Sequence, residues 1–507
     1  MAKDLLRRSP DIECMVPYWD MVTDIIAGEE SIKAGGEAYL PKFPEETDKD
    51  YDFRVQVGKF TNIYRDTLEG LATKPFQDEV SIVGENSNEE MKAFAEDVDG
   101  CGNNLTSFAA LTFFNGINYA IDWIFVDYPT VTDADRLSRA EAKKRNLKPF
   151  WRHILGKNVL EVHSHMEGSK EQIDYFRYQE PSYGDEPVMV RVYAEEWDEF
   201  GKKHVMWHLY RQLKEPTEDG DDFIEVDSGE MSIGFIPVVP FITGRRDGNR
   251  FKFYPVMKDA ANLQIKLYQN ESALEYIKVL ACYPMLATDG IKPKIGPDGK
   301  PDKIAVGPGR VLYGCELKNG GGGTWKYVEP NANSLEFLKK DIDKTKTDLR
   351  ELGRQPLTAL SSQLTTVTTS IAAGKAKSAV TTWALALKDA LENALLYTML
   401  WDRAQVPTSE QPEVNVYTGF DNVLEDGSDL EELGKARERH DISQETYWEE
   451  LKRRKILSAE FTAEREKQRL LEDIPTDAVD LDSSEGTDEA PTTDEKDEEN
   501  ELEIRRK

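Results

Sequence analysis

The chain has 507 residues, with 95 acidic against 64 basic side chains and a formal net charge of −31. An acidic surface repels phosphate, which excludes adventitious capture of nucleic acid. Hydrophobic residues at 39% and aromatics at 10% support a real core, and the length suits about two to four domains or one large multilayer unit.

The first predicted element is an amphipathic helix over Asp11–Ile26, with Val16, Trp19, Val22 and Ile26 on one side. Gly35, Gly36, Pro41 and Pro44 break the chain before a second helical pattern from Tyr51 to Leu71. Lys74-Pro75 ends it, because the residue before proline avoids the α region. Asn88–Val98 and Leu105–Tyr119 read as further helices, and Asp122–Tyr128 as a strand closed by Pro129. The stretch 105–126 is long and apolar, but it holds Asn115, Gly116, Asn118 and Asp122. In a membrane these polar groups are costly, so a buried helix followed by a strand is expected. Ala134–Lys148 is charged and reads as a surface helix.

From Asn158 to Gly244 the texture turns to β, with alternation plain in Val188, Val190 and Val192 against Met189, Arg191 and Tyr193. An antiparallel meander is expected. It closes on Ile236–Phe241, a buried extended run whose two prolines argue for a sheet edge.

Pro255–Ala281 follows as a long helix carrying Val256, Ala260, Leu263, Leu267, Leu274, Ile277 and Ala281, with Asn270 where another apolar residue is expected. Tyr283-Pro284 stops it. A Gly/Pro-rich insert follows up to Pro330, with short strands at KIAVGPGRVLYG and TWKYVEP. Asn333 with Glu336 has the form of a capping box opening a second long helix. That helix has a narrow stripe of Leu335, Leu338, Ile342, Leu349 and Leu352, densely charged other faces, and Gly353 as its expected stop.

Pro356–Gly374 then runs without a single charge and with eight hydroxyls: Thr358, Ser361, Ser362, Thr365, Thr366, Thr368, Thr369 and Ser370. Its apolar side chains are too sparse for a core element, and its threonines and leading proline disfavour helix. Two readings stay open for it: a linker, and a loop that touches something. Lys375–Arg403 is a third long helix with Val380, Trp383, Leu387, Leu391 and Leu395 on one face. After Pro407 come a strand (EVNVYTGF) and helices from Ser428 to Leu471. The 32 residues from Thr476 carry 13 acids and four bases and read as a disordered tail.

Motif searches return mostly absences. There is no GxxxxGK[ST], HExxH or GxSxG, so neither an ATP-driven motor nor a named hydrolase class is indicated. The pairs His163/His165 and His204/His208 could offer metal ligands, yet such pairs are more often packing residues, and no metal or cofactor is expected. Glu218, Asp219, Asp221 and Asp222 lack EF-hand spacing. Cys14, Cys101, Cys282 and Cys315 form no CxxC pair and read as free thiols. The N-terminal MAKDLLRRSPDIE has no signal-peptide core.

The order of elements resembles that of the portal proteins of tailed bacteriophages. Local text carries the resemblance over roughly residues 10–470: Tyr39-Leu40-Pro41-Lys42, Asn62-Ile63-Tyr64-Arg65, Lys74-Pro75-Phe76, the run from Gly116 to Pro129, Ile236–Phe241, and the helix from Asp259 to Tyr268. The resemblance implies an α+β, non-enzymatic subunit. Its parts would be a wing (1–254, with β region 158–244), a stem (255–281 and 333–352), a clip (283–330), a tunnel loop (356–374), a returning wing helix and strand (375–425), a crown (428–471) and the acidic tail (476–507). It implies a ring, typically of twelve, at one capsid vertex of the virion, assembled in the host cytoplasm. Double-stranded DNA would be packaged and ejected through it.

The implied partners are the terminase large subunit, a head–tail adaptor, the major capsid protein and a scaffold, with no membrane. Ser361, Ser362, Gln363, Thr365, Thr366, Thr368, Thr369, Ser370, Lys375 and Lys377 would then face DNA. Lys303, Arg310, Tyr313 and Trp325 would sit on the docking clip. The competing reading is an acidic cytosolic metal-dependent hydrolase acting on nucleotides or nucleic acid, and a weaker one is another phage scaffold or adaptor component.

Overall fold

The computed structural model describes residues 4–83, 89–129, 145, 147–182, 184–215, 222–282, 285–289, 324–328, 332–354, 366–403, 405–418, 428–453, 456–457 and 461–472. It is an α+β protein with two compact units, Met1–Phe420 and Asp421–Lys507.

The N-terminal helix is interrupted. α1 (Pro10–Glu13) and α2 (Val16–Ala27) are separated by Cys14 and Met15, and α3 (Glu29–Ala34) follows Gly28. The single helix expected over Tyr51–Leu71 is two, α4 (Asp48–Val57) and α5 (Ile63–Ala72). At the break, Gly58 lies so close to the first of the long helices that an added Cβ would sit 2.7 Å from Ser272 Oγ. Asn62 caps α5 by accepting from Arg65 N, and it donates to Ile25 O at 2.6 Å. Within α4, Arg54 is buried and bidentate on Glu46 (2.8 and 2.7 Å), which precedes the helix, while donating to Pro41 O. That guanidinium holds the Glu46 carboxyl below its usual range.

After β1 (Ser81–Val83) and α6 (Glu89–Ala95) come α7 (Leu105–Tyr119) and β2 (Ile121–Asp127), close to expectation. β2 is central in a three-stranded antiparallel sheet with β3 (Phe150–Ile154) on one side, and it is buried along nearly its whole length. That double-sided burial is why it reads as a continuous apolar run. The meander is β4 (Val159–Glu167), β5 (Lys170–Gln179), β6 (Met189–Trp197), β7 (Lys203–Gln212) and β8 (Phe223–Glu230), five antiparallel strands in sequence order. Its Phe176 and Tyr193 pack with tilted rings against Trp123 and Phe125 of β2.

β9 (Val238–Ile242) takes the other side of β2 as an edge strand, where Pro240 removes no needed ladder bond. At the α7–β2 corner Ala120 adopts φ 72°, and its carbonyl accepts from Thr243 and Gly244 N. β10 (Arg245–Arg246) and β11 (Phe253–Tyr254) form a small ladder before the long helices.

α8 (Lys258–Cys282), β12 (Met285–Asp289), β13 (Thr324–Val328), α9 (Ala332–Arg354) and α10 (Thr366–Asp402) complete the long-helix region. β14 (Glu413–Asn415) pairs with β1. The expected surface helix 134–148, apart from residues 145, 147 and 148, which are not helical, lies outside the described residues, as do the strand KIAVGPGRVLYG and the tail 476–507. The second unit contains α11 (Ser428–Glu438), α12 (Gln444–Arg453) and α13 (Ala463–Glu472), with Trp448 packed edge-on to Phe461. No described helix is long and apolar enough to cross a membrane.

Candidate functional site in the long-helix region

α8 is amphipathic only in part, because several of its buried positions are polar. Gln264, Glu271 and Ser272 are at most 4% exposed. For Gln264 and Glu271 their partners explain this. Gln264 Oε1 accepts from both Ile63 N and Tyr64 N at 3.1 Å, and its Nε2 donates to Thr61 O at 2.9 Å. Glu271 accepts from Thr61 N and Oγ1. Free amides at a helix start need acceptors, and here α8 supplies them to α5. Val256, expected on the apolar stripe, precedes α8 and is half exposed.

β12 and β13 pair antiparallel from Met285↔Val328 to Asp289↔Thr324, so the chain leaves along α8, reverses, and returns along α9. The sequence pattern does not predict the strand Met285–Asp289: its five residues carry no alternation of their own and depend on TWKYV for pairing. Two polar links cross between the helices. Asn270 Nδ2 donates to Asp341 Oδ2 at 3.0 Å, and Lys346 Nζ meets Glu271 Oε1 at 2.6 Å. Asn270, odd as a stripe residue, is thus a cross-helix donor.

Within α9, Ile342 and Leu349 are buried and Leu335 and Leu338 partly so, as the narrow stripe predicts. Lys339, Lys340, Asp343, Lys344 and Arg350 are exposed, and Phe337 is 74% exposed. Two boundaries need correction. Asn333 is the second residue of α9 rather than its cap, and the helix continues through Gly353 to Arg354.

The uncharged segment also needs correcting. α10 begins at Thr366, so Thr366, Thr368, Thr369 and Ser370 belong to a helix of 37 residues, roughly 55 Å at 1.5 Å per residue, that also contains Lys375 and Lys377. Each threonine costs only about half a kcal/mol against alanine, and extending a helix already nucleated is cheap beside starting one. Ser361, Ser362, Gln363 and Thr365 lie outside the described residues, as do Lys303, Arg310 and Tyr313; Trp325 is on β13.

The C-terminal two thirds of α10 is anchored in the body. Val380, Trp383, Leu387, Leu391 and Leu395 are all buried, as the spacing predicts. Thr398 Oγ1 accepts from Trp151 Nε1 at 2.8 Å, and Trp401 Nε1 donates to Val126 O. Among the described residues no group of three or more His, Cys, Asp or Glu could hold a metal ion. The region offers shape and charge rather than a reactive cluster.

A family described as "Domain of unknown function (DUF4055)" matches residues 256–402, which span α8 to the end of α10. No curated protein matches. Among solved structures, the chain is similar to one from the neck of an empty GTA particle computed with C6 symmetry, at 11% identity and TM-score 0.38, covering 80% of this chain and 89% of that one. It is also similar to a chain in the virion of a native gene transfer agent (GTA) particle, at 10% identity and TM-score 0.36, covering 87% and 98%. A third likeness is to the neck of a native GTA particle computed with C12 symmetry, at 11% identity and TM-score 0.35, again covering 87% and 98%. With TM-scores below 0.5, a functional reading has to stand on the chain's own residues.

Proposed function

We propose that this chain is the subunit of a portal-type ring that conducts double-stranded DNA at one vertex of a phage-like capsid. The observation that carries the reading is the out-and-back pair α8–α9 with a strand pair at its turning point, followed by an uncharged segment that leads into the anchored helix α10. In this reading α8 and α9 are the stem, 283–330 the clip, the segment from Pro356 to the first turns of α10 the tunnel lining, and α11–α13 the crown.

The physical logic is contact without grip. Each Lys or Arg paired with phosphate adds affinity and salt dependence, so a conduit for a polyanion works best with a neutral, hydroxyl-rich lining in an acidic body. Lys375 and Lys377, on α10 beyond that lining, would add a single tier of positive charge. A ring of identical subunits needs two different, complementary faces. The exposed Lys339, Lys340, Asp343 and Lys344 of α9 offer both signs for such a face. Terminase and adaptor would dock at the clip through Lys303, Arg310, Tyr313 and Trp325, with capsid protein and scaffold contacting the wing, in the virion.

The test is direct imaging. Purified protein at micromolar concentration and moderate salt should give ring-shaped particles by negative-stain microscopy and a matching oligomer mass. A monodisperse monomer that stays monomeric with capsid protein and scaffold present would overturn the reading.

A further inference from the structure

The meander carries a feature that a DNA conduit does not use. An open cavity of about 580 Å³ lies over β4, β5 and β6, lined among others by His163, His165, Asp174, Tyr175, Glu195 and Trp197. His163 and His165 are two apart on β4, so they project from the same face. Each has one ring nitrogen committed to a carboxylate: His163 Nε2 to Glu161 Oε1 at 2.9 Å, and His165 Nδ1 to Asp174 Oδ2 at 3.0 Å. The β4–β5 ladder slips between His163 and Ser164 and leaves Asp174 without a pairing partner. Such irregularities re-aim a side chain, and here the carboxylate meets His165. Glu161 is fixed in turn by Arg177 Nη2 at 2.7 Å.

A carboxylate only accepts, so the committed nitrogen carries the proton of the neutral ring. The other nitrogen, Nδ1 of His163 or Nε2 of His165, keeps its lone pair. This is how proteins orient imidazole for a metal. The same sheet provides the contrast. His204 has Glu230 at 2.6 Å on one nitrogen and Asp198 at 3.4 Å on the other, and His208 has Glu225 at 3.3 Å and Glu196 at 3.9 Å. Each of these rings has carboxylates near both nitrogens and so lacks a nitrogen left open for a metal; at His204, Glu230, then Asp198, also raises the pKa, which favours the imidazolium.

We propose that the cavity binds one late first-row divalent ion (Zn²⁺, Ni²⁺ or Cu²⁺) through His163 and His165, with water completing the shell. Imidazole donors select these ions over Mg²⁺ and Ca²⁺. With two protein ligands rather than the four of a structural zinc centre, the site is an exchangeable chelate that clamps the irregular stretch of β4. The proposal stands independently of the portal reading.

The experiment is calorimetric titration of the full chain, expressed without a polyhistidine tag and stripped of metal, with Zn²⁺, Ni²⁺, Cu²⁺ and Mg²⁺. One late-metal ion per chain is expected, with no heat from Mg²⁺. Glu161→Gln and Asp174→Asn should each weaken binding by about 10–100-fold, the usual effect of removing a carboxylate behind a ligating histidine. His163→Gln with His165→Gln should abolish binding, while His204→Gln and His208→Gln leave it unchanged. Absence of saturable binding, or binding that survives the double variant, would overturn the proposal. On the wild-type chain, electron paramagnetic resonance of bound Cu²⁺ should report two nitrogen ligands, and an all-oxygen or single-nitrogen signal would equally sink it.

Discussion

Glu271 of α8 and Lys346 of α9 meet at 2.6 Å, and the same carboxylate takes the amide and hydroxyl of Thr61 at the approach to α5. One nearly buried side chain therefore ties both long helices to the N-terminal body. Lys346 is about a quarter exposed, whereas Glu271 is almost fully buried, so the two partners are not equivalent.

Removing Lys346 leaves a buried carboxylate short of its cation, while removing the charge of Glu271 leaves a lysine that can turn to water. Lys346→Met should lower stability by about 2–4 kcal/mol, toward the range for breaking a buried pair. Glu271→Gln, which can still accept from Thr61, should cost about 1–2 kcal/mol. Urea unfolding of each variant and of the double variant checks this. Strict additivity would mean that the pair is not coupled.

Gly116 of α7 is a second tight point. Its missing side chain makes room for the Phe241 ring, and its carbonyl accepts from Thr243 Oγ1 at 2.7 Å. Gly116→Ala should destabilise by about 1–3 kcal/mol through overpacking, despite alanine's better helix propensity. Phe241→Leu in the same chain should recover part of the loss. Thermal unfolding of the two single variants and the double variant decides it, and an absence of recovery would place the strain elsewhere.

How much of this was legible in the sequence follows from where each residue's partners lie. The α10 face from Val380 to Leu395 has its signal within one helix period, and every position named from it is buried. The meander and the edge proline of β9 were equally local. Gln264 and Glu271 were not, since polar residues on a stripe look like interruptions until the amides of Thr61, Ile63 and Tyr64, about 200 positions away in the chain, are brought to them. The same contacts account for the break between α4 and α5 that apolar periodicity ran straight through. At Thr366, residue propensity pointed to a loop, but a few tenths of a kcal/mol per threonine did not outweigh continuation of a long helix.

The buried pair Asp122–His153 sets a pH dependence. Asp122 is fully buried on β2 and pushed up to about 6 from 3.8, chiefly by desolvation, with His153 Nε2 at 2.5 Å. His153 is raised above 6.5 because the attraction and hydrogen bond of Asp122 outweigh its own burial. Both folded-state values lie above the unfolded ones, so the native state binds protons more tightly. The stabilisation they bring is fully present below pH 3.8, falls as pH rises from about 4 to 6 for Asp122, and falls again above 6.5 for His153. Asp122→Asn should flatten this dependence, so the gap in Tm between wild type and variant should shift toward the variant as pH rises from 5 to 9. A gap constant with pH would sink the assignment.

Replacing Thr365, Thr366, Thr368 and Thr369 together by alanine separates the two readings of the uncharged segment. Alanine is the better helix former by about half a kcal/mol per residue, and three of the four positions are helical. The variant should therefore keep or slightly raise its helical circular dichroism signal and its Tm. If the hydroxyls line a conduit, the folded, assembled variant should still lose DNA packaging or retention in a particle assay, because its weak, sequence-blind contacts to the duplex are gone. Full packaging by the variant would make the segment a spacer. Loss of folding would make it part of the body's structure. The outcome that supports the conduit is the specific combination of intact assembly with impaired DNA retention.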